Sequence, residues 1–308
     1  MNTANPLSVI LDTDIGPDCD DAGALAVLHA LAVRGEAEIL AVTHCTSNPF
    51  GAGCIDAINR FCGRGNIPVG TLSRPAFLDE GQYQRYNKYI TLHYDNAFRD
   101  RQPPDATNLL RRILSSRAEK SLDIIGIGPL VNLAALLTSP PDELSQLDGR
   151  ALVARTVRRL VCMAGRFERN GENDQPIEWN VEMEIDAARA VFDIWPADVV
   201  FCPHEIGVNV ITGKKLLARC GDENPVKKAY ELYTNGAGRS SWDLITILFA
   251  IRGLCDMWEY SPEGVVRINE RGASVFSSAP GGRHRYLKAV APAGAVERYL
   301  EDLILPCA

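Results

Sequence analysis

Short apolar runs separated by helix-length segments recur from the first residues of this chain onward, and that alternation constrains it to a parallel α/β architecture. Val9, Ile10 and Leu11, then residues 38–43, 67–70, 122–127, 157–163 and 198–202, read as strands. The run 122–127 carries apolar residues on both faces, as a strand does when helices cover both sides of its sheet. Residues 22–33, 52–62, 105–117, 186–192 and 214–220 read as helices, with a further one ending at Leu137. Late helices are expected over 224–236 and 240–253, then a Gly- and β-rich tail from 261 closing in a helix over 295–303. The expected fold is therefore a mostly parallel open sheet flanked by helices, in one domain over residues 1–308. Residues 72–104 break the rhythm with Tyr83, Tyr86, Tyr89, His93, Tyr94 and Phe98 among many charges. Such an excursion is either a lid over a site or an oligomer contact.

The first apolar run leads directly into Asp12, Asp14, Asp18, Asp20 and Asp21, five carboxylates within ten positions. Gly16 and Pro17 supply the turn between strand and helix. A carboxylate at a helix N-terminus gains only about 0.3–1 kcal/mol, which does not offset the repulsion of five crowded charges. A positive partner is required, and a hard divalent cation held by oxygen ligands is the simplest; the alternative is a solvated turn with a helix cap. An EF-hand is excluded, because counting from Asp12 the twelfth position is Gly23 rather than Glu. An aspartyl-phosphate-type phosphatase would use Asp12 and Asp14 as nucleophile and acid. It also needs a second acidic pair far down the chain, and the pair in that style lies inside this loop.

Composition removes other classes. A formal net charge of −7 and a pI near 5.4 argue against nucleic acid as a partner. No apolar run is long enough to span a membrane, and residues 1–8 are short and polar, without the core of a leader peptide. Nine cysteines, an odd number with no C-x-x-C pair, read as reduced thiols in a cytoplasmic protein.

Asp12-Thr13-Asp14-x-Gly16 followed by Asp20-Asp21-Ala22-x-Ala24-Leu25 resembles the signature of the inosine–uridine-preferring nucleoside hydrolases, with two extra residues that include Asp18. Three more segments resemble that family. Gly128-Pro129-Leu130-x-Asn132 matches its G-P-L-T-N, Glu178-Trp179-Asn180 its E-F-N, and Trp242-Asp243 its His-Asp pair. The resemblance implies calcium-dependent hydrolysis of the N-glycosidic bond of ribonucleosides by a homodimer or homotetramer. It places Ca2+ on Asp14, Asp21, the Val131 carbonyl and Asp243, with Asp14 also the general base and Asp12 a structural partner. Asp20, Asn48, Asn173, Glu178 and Asn180 would hold the ribose, Asn170 competing with Asn173.

The departure from the family lies at Trp242, where many members carry a His that protonates the leaving base. The five histidines here are 29, 44, 93, 204 and 284, of which His44 and His93 sit in loops that could reach a site. Purine-preferring relatives replace acid catalysis by stacking the base between aromatic rings. Trp242 and Trp179 would serve that purpose, or pack in the core. The expected substrate is thus a nucleoside, purine rather than pyrimidine; the alternative is a family member reduced to binding a ribosylated small molecule.

Overall fold

The computed structural model describes residues 5–168 and 176–305. Its strands are β1 (Leu7–Thr13), β2 (Ala37–His44), β3 (Val69–Thr71), β4 (Leu122–Gly126), β5 (Val157–Met163) and β6 (Asp198–Cys202) in the first two-thirds of the chain. They continue with β7 (Ile211–Thr212), β8 (Arg239–Ser240), β9 (Trp258–Tyr260), β10 (Gly264–Ile268), β11 (Ser274–Ser278) and β12 (His284–Ala289). Ten of them form one sheet, whose parallel part runs β3-β2-β1-β4-β5-β6-β12; β9, β10 and β11 add antiparallel strands beyond β6, and β7 pairs with β8 apart from it.

The helices are α1 (Asp20–Val33), α2 (Gly51–Phe61), α3 (Asn87–His93), α4 (Ala106–Ser115), α5 (Val131–Thr138), α6 (Gly149–Thr156) and α7 (Trp179–Met183). After them come α8 (Ile185–Ile194), α9 (His204–Gly207), α10 (Lys214–Arg219), α11 (Pro225–Thr234), α12 (Trp242–Arg252) and α13 (Ala293–Leu303). Successive strand residues point to opposite faces. Accordingly Val9 and Leu11 join one core with α1, α2, α11, α12 and α13, while Ile10 joins a second core with α4, α5, α6 and α8. Helices α1 and α12 are apolar nearly all round and pack on each other, as buried helices must.

This strand order locates the site. After β1 the chain moves to β2 and β3 on one side, and later to β4, β5 and β6 on the other. The loops leaving β1 and β4 therefore diverge and open a crevice between them, the point where open α/β sheets bind ligands. Asn132 of α5 ties the segment after β4 to β1 and β2, its Nδ2 donating to Asp12 Oδ1 at 2.8 Å and to the His44 carbonyl at 3.1 Å.

Two helices run against the expectation. Val153 and Thr156 of α6 are β-branched and lead straight into Val157 of β5, so neither period dominates; the helix is set instead by Asp148, which caps the Ala151 N–H. α7 is five residues long and rests on its Glu178 cap. The aromatic excursion packs onto the acidic loop and does not stand off as a flap. Asn87 Nδ2 donates to the Ile15 carbonyl and to Asn48 Oδ1, both at 3.3 Å, and the fully buried Tyr86 donates its hydroxyl to the Asp18 carbonyl. Asn87→Ala is expected to lower unfolding free energy by about 1–3 kcal/mol, since two buried acceptors lose their donor. Urea denaturation checks this, and an unchanged midpoint would mean the excursion is energetically detached from the loop.

Candidate active site

Each carboxylate of the β1–α1 loop has a different fate. Asp12 is fully buried, and its Oδ1 accepts from Thr43 Oγ1 at 2.5 Å and from Asn132 Nδ2, which makes it the brace between β1, β2 and α5. Asp14 faces the crevice so closely that a Cβ at Gly128 would lie 2.7 Å from its Oδ1. The β4 loop can pass there only as glycine. Asp18, in the two-residue extension, forms an ion pair with Arg239. Asp20, Asp21 and Asp243 converge, with one carboxylate oxygen from each lying within 4.8 Å of the others. Asp243 reaches them because α12 begins there, and its backbone N–H donates to Asp20 Oδ2 at 3.2 Å. Thr13 Oγ1 donates to Asp21 Oδ1.

Asp14, Asp20, Asp21 and Asp243 are each 5% exposed or less, and among the described residues none has a salt bridge. Burial, reinforced by mutual repulsion, pushes all four carboxyls well above their ordinary range. Burial likewise raises Asp12 and Glu178 to about 7. Oxygen donors crowded without a protein cation are the ligand set of a hard divalent ion. The tight trio takes in Asp20, which was expected on the ribose, and Asp14 stands beside it, raising Asp21 by its charge.

The opposite wall comes from the segment after β5. Glu178 caps α7, Oε1 accepting from the Asn180 N–H at 2.9 Å and Oε2 from the Val181 and Gly165 N–H groups at 3.3 Å. Asn180 Nδ2 donates to the carbonyls of Met163 at 3.0 Å and Ile127 at 3.4 Å. These groups enclose a cavity of about 320 Å³ lined also by Asp14, Asp20, Asp21 and Asp243. Tyr83, Trp179, His204, Tyr233, Arg239 and Trp242 complete its wall. Trp242 donates its Nε1 hydrogen to the His204 carbonyl at 2.9 Å, and Gly207 lets it in, since a Cβ there would meet the indole at 2.5 Å.

The structure places the other expected residues as follows. The Val131 side chain, first in α5, packs with Cys45, Phe77 and Ala187, and from this segment Ile127 lines the cavity. Asn48 does not line it. Its Nδ2 donates to the Tyr83 carbonyl and its Oδ1 accepts from Phe50 N and Asn87 Nδ2, so it anchors the aromatic excursion. His44 is fully buried between Thr71 and Thr46, and burial drops its imidazole to about 3; His93 is exposed and stacks on Tyr89. Asn173 and Asn170 lie outside the described residues. Sequence reasoning missed Ile127, Tyr83, His204, Tyr233 and Arg239. The one available signal was Asp18, an extra carboxylate in a loop that already needed positive charge.

Residues 9–290 match the model of the inosine-uridine preferring nucleoside hydrolase family. Compared with curated protein sequences, the chain finds no significant match. Among solved structures it is similar to a plant nucleoside hydrolase, with 22% identity over 98% of this chain and 99% of that one and a TM-score of 0.71. A purine-preferring ribonucleoside hydrolase from Gardnerella vaginalis gives 16% identity over 97% and 98%, with a TM-score of 0.72. The type III effector protein XopQ, complexed with adenosine diphosphate ribose, gives 14% identity over 98% and 94%, with a TM-score of 0.74. At these identities the likeness is one of fold.

The buried carboxyls set a pH dependence. A carboxyl raised in the fold holds its proton where the unfolded chain has lost it, so the folded state binds more protons between the ordinary carboxylate range and about 7. Stability without metal is therefore greatest below that range and falls as pH rises through about 7. The midpoint of thermal unfolding in chelator is expected to drop between about pH 5 and pH 8, and calcium is expected to raise it more at the higher pH. Equal midpoints with chelator and calcium at both values would show that the cluster holds no cation.

Proposed function

The chain belongs to the inosine-uridine preferring nucleoside hydrolase family and is a nucleoside N-ribohydrolase, and from that premise we propose that it is a calcium-dependent enzyme acting on purine ribonucleosides. The observation that carries the reading is one cavity lined both by a cluster of buried carboxylates without a salt bridge among the described residues and by aromatic rings. Asp20, Asp21 and Asp243 would hold the ion together with Asp14. An ion held there would supply positive charge that lowers the pKa of a water nucleophile and favours oxygen donors such as ribose hydroxyls.

The chain's own groups do the rest. Asp14, its carboxyl raised by burial, accepts the proton of the water that attacks C1′. Glu178 and Asn180 hold the sugar from the opposite wall and exclude water, because their backbone-anchored side chains cannot swing away. Cleavage of the N-riboside passes through an oxocarbenium-like state, so fixed carboxylates around the sugar favour the developing charge. Trp242 stacks on the departing base, and a purine offers it the larger face. The free thiols of the described cysteines suit a reducing cytoplasm, where we place the enzyme in nucleoside salvage as a homodimer or homotetramer.

Release of ribose from a nucleoside panel, with chelator and with calcium restored, tests the reading. Asp14→Asn is expected to abolish turnover with the fold intact, and Asn180→Ala to cost about 1.5–3 kcal/mol of transition-state stabilisation. A silent Asn180→Ala would move the ribose elsewhere. Trp242→Ala is expected to cost about 1–3 kcal/mol, the range of base–aromatic stacking, and kcat should show no basic limb near the imidazole pKa of about 6.5. A limb that vanishes in His204→Ala would instead give the acid role to His204, the histidine that lines the cavity. Because Trp242 offers no titrating proton, a second reading keeps a member that binds a ribosylated ligand without cleaving it. Tight binding without release of ribose would establish that one.

A further inference from the structure

Arg239 lines the cavity beside Trp242 and Tyr233, and its placement answers a question that Trp242 leaves open: what stabilises the electron pair of the departing base. Asp18 engages one edge of the guanidinium, with Nε 3.0 Å from Oδ1 and 2.9 Å from Oδ2, and Nη2 2.5 Å from Oδ2. Among the described residues Nη1 has no hydrogen-bond partner, so the edge formed by Nη1 and the second hydrogen of Nη2 remains available. The group lies 5.2 Å from the Trp242 ring centroid and 5.5 Å from that of Tyr233, and its side chain is 35% exposed. Two cation–π contacts and a bidentate carboxylate hold it in one orientation.

We propose that Arg239 is a catalytic residue whose free edge donates two parallel hydrogen bonds to the leaving base, and that it directs the enzyme to 6-oxopurine ribonucleosides. This rests on the nucleoside hydrolase reading of the cavity. A 6-oxopurine presents N7 and O6 as adjacent acceptors, the pair an arginine fork matches, whereas adenine sets an amino donor beside N7. In the reaction the C1′–N9 bond breaks and its electron pair spreads from N9 to N7 and O6, where the guanidinium stabilises it without giving up a proton. The water oxygen bonds to C1′ and its proton passes to Asp14. The released base then takes a proton from solvent, and Asp14 returns its own to solvent. Asp18 is a positioning residue for Arg239.

The test compares inosine, adenosine and 4-nitrophenyl β-D-ribofuranoside, whose leaving group departs without help and has no N7/O6 pair. Arg239→Ala is expected to lose about 10²-fold in kcat/KM on inosine, the scale of a lost oxyanion donor, and to leave the nitrophenyl riboside within a few-fold. The preference for inosine over adenosine should collapse, and hypoxanthine, measured by calorimetry, should bind more weakly. Asp18→Asn is expected to shift the inosine-to-nitrophenyl ratio in the same direction, and added guanidinium ion to restore part of the inosine rate in Arg239→Ala. Retained nitrophenyl turnover shows that a variant is folded. Equal losses on both ribosides, an unchanged inosine preference, or a loss confined to nucleoside 5′-monophosphates would overturn the proposal and leave the hydrolase reading standing. A wild-type chain that cleaves neither riboside would remove both.

Discussion

Four carboxylates buried at the end of β1 and the start of α12, with no salt bridge among the described residues, are the constraint around which the rest of the molecule is arranged. Charged groups taken out of water repel and lose hydration, so the surrounding structure must hold them rigidly or they would splay apart. The frame does this by apolar packing. α1 and α12, which deliver Asp20, Asp21 and Asp243, are buried along nearly their whole length and pack on each other. Asp12 spends its own carboxylate on Thr43 and Asn132, fixing the loop from below. The acidic cluster thus depends on the apolar packing of the two helices whose first turns carry it.

A second consequence concerns Asp18. It lies in the acidic loop yet turns outward to pair with Arg239, 221 residues away in sequence, and the guanidinium is then sandwiched near Tyr233 and Trp242. Arg239 pairs with Asp18, and the four inner carboxylates have no salt bridge among the described residues.

The aromatic excursion after β3 carries the third. Anchored by Asn87 and Tyr86 to the acidic loop and by Asn48 to the β2 loop, it brings Tyr83 to the cavity wall. Asn48 illustrates how a residue in the right loop with the right chemistry is diverted. Once the excursion packs down, every polar atom of that side chain is more usefully spent on protein than on a ligand.

The sequence by itself determined the parallel α/β class, the order of its principal elements, and the acidic β1–α1 loop; Asp243 as its distant partner came from the family resemblance. Local patterns suffice for these: buried strands are apolar runs, helices follow their period, and five carboxylates in ten positions cannot be an ordinary core. What only the tertiary structure decided is which atoms face the cavity. Val131 and Ile127 are four residues apart in one loop, and the helix that starts at Val131 turns it into the core while Ile127 stays at the crevice. His44 and His204 are both loop-end histidines, but the first is sealed between Thr46 and Thr71 and the second is opened onto Trp242. Arg239 carries no local mark at all. Its role arises from a short strand, β8, that sets it against Asp18 across the mouth of the cavity, a relation between distant segments that no spacing in the chain encodes.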